Sequence, residues 1–186
     1  MEKADLRRVL QSRIRRLPVE ARSNHAAAIR RHLSEDEGFR SATTVFAYLA
    51  LPGEPDLALL IEAFPEKRWC ASRITPEGRI VFHHLPHLAE ALPGSLGIRQ
   101  PDPFRHPEVA PSEAELILVP GLGFDPQTRA RLGRGKGHYD RFLESALSHG
   151  RKPTLTGVLF STQLASIPVE SHDVPMDRLV TELGWI

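Results

Sequence analysis

A chain of 186 residues, 41% hydrophobic and 25% charged, has ordinary globular composition and the length for one domain with its own core. Lysine plus arginine number 24 against 23 for aspartate plus glutamate; the net charge of +1 excludes a global field that steers the protein onto nucleic acid, so any basic patch is local. The single cysteine, Cys70, excludes an internal disulfide and a cysteine-rich metal site and suits a reducing compartment. The opening MEKADLRRVLQSRIRR is too charged for a signal peptide, and no run approaches the roughly 18 apolar residues of a membrane span, so a soluble, cytoplasmic protein is predicted.

Leu6, Val9, Leu10, Ile14 and Leu17 recur at helical spacing, and Pro18 with Glu20 opens a second predicted helix through Ala21, Ala28, Ile29 and Leu33. Residues 44–49 (TVFAYL), rich in β-branched and aromatic types, predict a strand, followed by the turn segment LPGEPD and a short helix over 57–64. Residues 68–74 predict another strand, joined to RIVF by a hairpin turn at Pro76, Glu77 and Gly78. From 85 to 111 prolines are frequent and periodicity is weak, which predicts a long connection inside one domain spanning 1–186. Residues 116–119 (LILV), ending at Pro120 and Gly121, predict a buried strand that empties into a loop. Tyr139, Phe142, Leu143, Ala146 and Leu147 form an amphipathic helical stripe, with Gly150 as its stop. Two further strands are predicted over 154–160 and 179–181, and the alternation of β and α elements predicts an α/β class, a three-layer α/β/α sandwich.

Between the LILV strand and the amphipathic helix runs RLGRGKGHYD. In Gly133, Arg134, Gly135, Lys136 and Gly137, glycines alternate with cations, so backbone N–H groups can approach an anion while long side chains neutralise it. The helix that follows adds its positive N-terminal end. Arg131 would bond phosphate oxygens bidentately, and Lys136 would act as a mobile point charge near a transferring group. A Walker loop needs Ser or Thr after its lysine, and Gly137 stands there; the dinucleotide fingerprint needs glycine where His138 stands. The remaining readings are a phosphate loop suited to a nucleoside triphosphate, or a flexible basic turn ahead of a helix.

The first helix carries similar alternatives. Lys3 and Arg7 share a helical face at i, i+4 spacing, either for one anion or as part of a solvated basic face with Arg8, Arg13, Arg15 and Arg16. Glu54 reads as a turn residue beside Pro52 and Gly53. Asp140 reads as a helix N-terminal acid and Asp173 as a loop acid, and neither spacing alone reveals a metal site. The histidines outside the loop, among them His83, His84 and His172, show no metal-ligand spacing and read as surface residues.

The string VPGLGFDPQTRARLGRGKGHYDRFL (119–143) resembles the signature of the 5-formyltetrahydrofolate cyclo-ligase family, also called methenyltetrahydrofolate synthetase. The resemblance extends to the basic first helix, to YLALPGEPD and to IPVESHDVPMDRLVTE, and so covers most of the chain. It implies an α/β fold similar to the NagB/RpiA/CoA-transferase group and an enzyme that uses ATP and magnesium to convert 5-formyltetrahydrofolate to 5,10-methenyltetrahydrofolate. It implies ATP contacts from Lys3, Arg7, Arg131, Leu132, Gly133, Arg134, Gly135, Lys136, Gly137, His138 and Tyr139. Substrate contacts are implied from Leu49, Glu54 and the loop residues Arg134, Gly135, Lys136, Gly137 and His138, with Mg2+ at Asp140 and Asp173. Lys136 and Arg134 would stabilise the transferring phosphoryl group. His138 departs from the family pattern, in which many relatives carry an aromatic residue, leaving a stacking, phosphate-binding or solvent-facing role open. The implied partners are folate and ATP, neither nucleic acid nor a membrane, acting on a monomer. The alternatives are a nonenzymatic nucleic-acid binder using the basic first helix and another phosphoryl-transfer enzyme on the same fold.

Overall fold

The N-terminal apolar stripe forms helix α1 (Lys3–Arg16), which buries Leu6, Leu10 and Ile14, whereas Val9 of the same stripe is 38% exposed. This computed structural model describes residues 2–94, 97–148, 152–170 and 173–186. Helix α2 (Val19–Glu35) buries Ala26, Ile29 and Leu33. A short α3 (Glu37–Ser41), not evident from periodicity, starts where the Asp36 carboxylate accepts the Phe39 N–H at 3.0 Å. The chain continues through β1 (Thr44–Ala47), α4 (Leu59–Ala63), β2 (Arg68–Ile74), β3 (Ile80–His84), β4 (Leu92–Pro93), β5 (Arg99–Gln100) and β6 (Glu108–Val109). It ends with β7 (Leu116–Pro120), β8 (Gly123–Phe124), β9 (Arg131–Leu132), α5 (His138–Leu147), β10 (Thr154–Val158), β11 (Arg178–Thr181) and β12 (Gly184–Trp185).

Eight strands form one sheet in the order β12-β11-β10-β7-β1-β2-β3-β6. The five central strands, β11 to β2, are parallel, and β12, β3 and β6 add antiparallel edges. Every residue of β1 and β7 is buried, as expected of apolar strands covered on both faces. Val45 and Ala47 face Ile29, Leu33, Leu60 and Ile61 on one side. Phe46 faces the other way, packing with Phe82, Phe142 and Leu143. The Phe82 ring lies 4.7 Å from Phe46 and 4.6 Å from Phe142, and burying each such side chain contributes about 1.5–3 kcal/mol. Helices α2 and α4 thus cover one face and α5 the other, giving the expected three layers. Cys70 lies wholly buried with Phe46, Phe82 and Phe142, where burial pushes its thiol up to about 12.

Some expectations differ from the observed elements. The 44–49 strand stops at Ala47, after which Tyr48 and Leu49 leave the ladder. The 85–111 segment is more than a connection, because it carries the β4–β5 pair and lays β6 along β3. That cover explains why His83, expected at the surface, is only 4% exposed: its Nδ1 lies 2.9 Å from the His106 carbonyl oxygen, and His106 Nε2 lies 3.2 Å from Glu90 Oε2. The helix stop assigned to Gly150 and the reading of His172 fall outside the described residues.

A two-stranded β8–β9 hairpin, missed in the sequence, packs under α1 through Leu6, Leu10, Ala130, Leu132 and Ile167. The chain steps from β1 to β2 on one side and later returns to β7 on the other side of β1. The carboxyl ends of β1 and β7 therefore flank a topological switch point, where open α/β sheets present their ligand crevice.

Candidate active site

The hairpin before the glycine loop is organised by Asp125. Its Oδ1 accepts the N–H groups of Gln127 and Thr128 at 2.8 and 3.1 Å, and its Oδ2 accepts that of Ile167 at 2.9 Å. Burial alone would raise the acid, but these donors outweigh it and hold it below its ordinary 3.8. Arg129 adopts a left-handed φ of 57° and donates to the Asp177 carbonyl at 2.7 Å, turning the chain back into β9. The loop then takes left-handed φ values of 94° at Gly135 and 64° at Gly137, conformations that favour glycine. Gly137 immediately precedes the first turn of α5, so the loop adjoins the positive end of that helix.

A cleft of about 200 Å³ opens at the switch point. Tyr48, Leu49, Leu51 and Glu54 enter it after β1, and Ser72, Arg73, Ile74 and Ile80 from the β2–β3 hairpin. Arg131, Gly133, Arg134, Lys136 and the segment from Gly137 to Asp140 complete it, with Ile98, Arg99 and Gln100 at β5. The structure thus brings together Leu49, Glu54 and most of the loop residues expected from the sequence. Lys3, Arg7, Leu132, Gly135 and Asp173 do not line the cleft. Leu132 is 1% exposed in the α1 cluster. Arg7 braces the loop from behind, its Nε donating to the Gly133 carbonyl at 2.9 Å and its guanidinium lying beside Gly135. Lys3 sits 2.9 Å from Asp173 and 3.2 Å from Glu170. Burial pulls the Lys3 ammonium down, but the bonds to these two carboxylates prevail and raise it above 10.5.

Within the cleft, acids and cations pair. The Arg131 side chain is 5% exposed, engages Asp140 through Nη2 and lies 5.4 Å over the Tyr139 ring. Glu54 Oε1 accepts from Arg134 Nη2 at 3.0 Å and Nε at 3.3 Å, while its Oε2 accepts the Leu51 N–H at 3.0 Å. Burial raises Glu54 above 4.5, an effect only partly offset by Arg134 and Leu51. Among the described residues Lys136 is exposed and has no acidic partner. The Tyr139 hydroxyl is buried near Ser72 with no hydrogen-bond partner of acceptable geometry, so this wall presents a polar atom able to bond a ligand.

A family model for 5-formyltetrahydrofolate cyclo-ligases matches residues 1–182. The chain belongs to the 5-formyltetrahydrofolate cyclo-ligase family. It is 34% identical over 188 residues to the 5-formyltetrahydrofolate cyclo-ligase of Mycolicibacterium smegmatis, spanning 96% of this chain and 93% of that protein. Against the Saccharomyces cerevisiae enzyme of the same name it is 30% identical over 179 residues, spanning 93% and 82%. The NMR structure of Aquifex aeolicus 5,10-methenyltetrahydrofolate synthetase matches the fold with a TM-score of 0.84 at 31% identity, covering 100% of this chain and 92% of that one. The chain is thus an enzyme of the cyclo-ligase family with the α/β fold its sequence implied. Among the described residues no helix is long and apolar enough to cross a membrane.

In this cyclo-ligase the two acids expected to hold magnesium lie in different surroundings. Asp140 lines the cleft in the first turn of α5, with one oxygen engaged by Arg131. It suits an ion that is held by one or two carboxylates together with phosphate oxygens. Both oxygens of Asp173 hold Lys3, at 3.2 and 2.9 Å. No group of three His, Cys, Asp or Glu side chains converges among the described residues. Sequence reasoning missed Asp125, Tyr48, Ser72, Arg73 and Arg99. For Asp125 the Asp-Pro-Gln-Thr turn was a usable signal, because an aspartate that accepts N–H groups two and three residues on is a common turn device; the others sit in ordinary strand or loop sequence.

Proposed function

We propose that this enzyme converts 5-formyltetrahydrofolate to 5,10-methenyltetrahydrofolate with ATP as phosphoryl donor and magnesium as its metal, releasing ADP and phosphate. The observation that carries the reading is one cleft that joins a glycine loop at the start of α5 to the buried carboxylate of Glu54. The loop suits a triphosphate, and the carboxylate suits the donor edge of a pterin. The formyl oxygen attacks the γ-phosphorus, forming an O–P bond as ADP leaves. N10 then attacks the activated formyl carbon and gives up its proton, and departure of phosphate leaves the N5–C–N10 methenyl bridge. Magnesium, held by Asp140 and phosphate oxygens, would neutralise charge on the phosphates. Lys136 and Arg134 stabilise the transferring group, the loop N–H groups orient the phosphates, and Glu54 with Leu49 positions the pterin. A cytoplasmic monomer acting on these two small molecules suits the balanced charge and the buried Cys70.

Mixing the protein with Mg·ATP and 5-formyltetrahydrofolate should give the near-ultraviolet absorbance of the methenyl product with stoichiometric ADP. Folded protein that makes neither rejects the proposal.

A further inference from the structure

We infer that Arg73 and Arg99 form a carboxylate-binding subsite for the glutamyl end of the folate, an assignment that rests on the folate reading above. The cleft is lined by the cations Arg73, Arg99, Arg131, Arg134 and Lys136. Arg131 pairs with Asp140, and Arg134 and Lys136 belong to the phosphate loop, Arg134 also pairing with Glu54. Arg73 is the penultimate residue of β2 and Arg99 begins β5, elements outside that loop, and among the described residues neither has a carboxylate partner. Their hydrogen bonds go to neutral carbonyls. Arg73 Nη1 donates to Pro101 at 3.2 Å, while Arg99 donates from Nε and Nη2 to Ala91 at 3.1 and 2.9 Å and from Nη2 to Ala89 at 3.3 Å.

Carbonyls aim a guanidinium without cancelling its charge. Among the described residues Arg73 Nη2 and Arg99 Nη1 have no partner, so this wall keeps two positive groups suited to paired bonds with carboxylates. Ile74 and Ile98, the chain neighbours of these arginines, also line the cleft and give the wall an apolar strip for an aryl group. A folate presents this sequence of chemistry, a hydrogen-bonding pterin, an apolar p-aminobenzoyl ring and a terminal dicarboxylate. Glu54 serves the first, and the wall of β2 and β5 serves the other two. The half-buried Arg73 should hold its carboxylate more tightly than the exposed Arg99.

The test compares 5-formyltetrahydrofolate with 5-formyltetrahydropteroate, which lacks the glutamate, as substrates of the wild-type enzyme and of R73Q and R99Q. Wild type should show a KM for the pteroate at least roughly ten-fold higher. Each variant should raise the KM for the glutamylated substrate roughly ten-fold and leave kcat and the KM values for pteroate and ATP within about two-fold. R73K and R99K should recover part of the lost discrimination. Equal loss on both folates, or a raised KM for ATP, overturns the subsite and leaves the cyclo-ligase reading standing, as does a wild type that does not distinguish the two substrates. A wild type that forms no methenyl product from either overturns both. Should R73Q fail to fold, R99Q on its exposed side chain decides the matter alone.

Discussion

Arg134 donates twice to a single oxygen of Glu54, at 3.0 and 3.3 Å, and so fastens the phosphate loop to the segment after β1 across the cleft. The carboxylate side chain is 6% exposed and the guanidinium 42% exposed, so the acid is the buried partner and the arginine the solvent-facing one. A ligand that bonds Glu54 must share it with Arg134, which on the proposed reading links the pterin end of the site to its phosphate end.

That pairing has a pH signature. Glu54 accepts through both oxygens, as paired bonds from a pterin require, only when ionised, and burial raises its pKa above 4.5 despite Arg134. The kcat/KM for 5-formyltetrahydrofolate should therefore fall as pH drops through a value above the ordinary 4.5, and Glu54→Gln should remove that limb together with most folate affinity. For stability the sign is opposite. Folding favours the protonated form, so Glu54 contributes best at low pH, and its ionisation costs stability as pH rises from the unfolded value to the folded one. A wild-type pH–rate profile whose acid limb survives in the Gln variant would count against the assignment.

Lys136→Ala should lower kcat by roughly 100- to 1000-fold, the scale for loss of one preorganised charge-stabilising donor. Its side chain is exposed, so thermal unfolding should stay within about 2 °C of wild type. Calorimetry and steady-state turnover on the same preparation separate the two effects. Parallel losses of activity and stability would return the loop to a structural role.

The Arg131–Asp140 pair should behave differently. Asp140→Asn leaves a guanidinium that is 5% exposed without its counter-charge, at a cost of about 2 kcal/mol; the 36% exposure of Asp140 keeps this below the loss for a fully buried pair. Urea unfolding should show the loss, and R131M with D140N should regain part of it without regaining activity. A midpoint unchanged by D140N would mean that the pair contributes nothing to stability.

Asp125→Ala removes the acceptor of three backbone N–H groups and should cost about 3 kcal/mol. Because the folded pKa of Asp125 lies below 3.8, its contribution is present above the unfolded value and lost as pH falls through the folded one. The stabilities of wild type and variant should therefore converge in acid. A gap that stays constant across the acid range would assign the loss to packing.

Local pattern carried a large share of the fold. The β2 strand has the bounds expected of RWCASRI, and α5 follows the stripe from Tyr139 through Leu147. Glycine spacing marked the turns at Gly135 and Gly137 because left-handed positions restrict which residues can occupy them. Pairings between distant parts of the chain left no such trace. Asp125 meets Ile167 across 42 residues, and Lys3 meets Asp173 across 170, so neither partnership shows in a local window. The β8 and β9 strands are two residues each and too short to show alternation. Arg73 is indistinguishable in sequence from any arginine near a strand end; only the approach of β5 makes it part of the cleft.

Cys70 carries a practical consequence. It is the chain's one cysteine, is wholly enclosed, and has a thiol pushed up to about 12, so at neutral pH it offers almost no thiolate to an alkylating reagent. A cysteine introduced at the tip of the segment that follows β5, by Phe104→Cys at a position 97% exposed, would take a fluorophore selectively. Ligand-dependent movement beside the arginine wall could then be followed by spectroscopy in a protein otherwise unchanged.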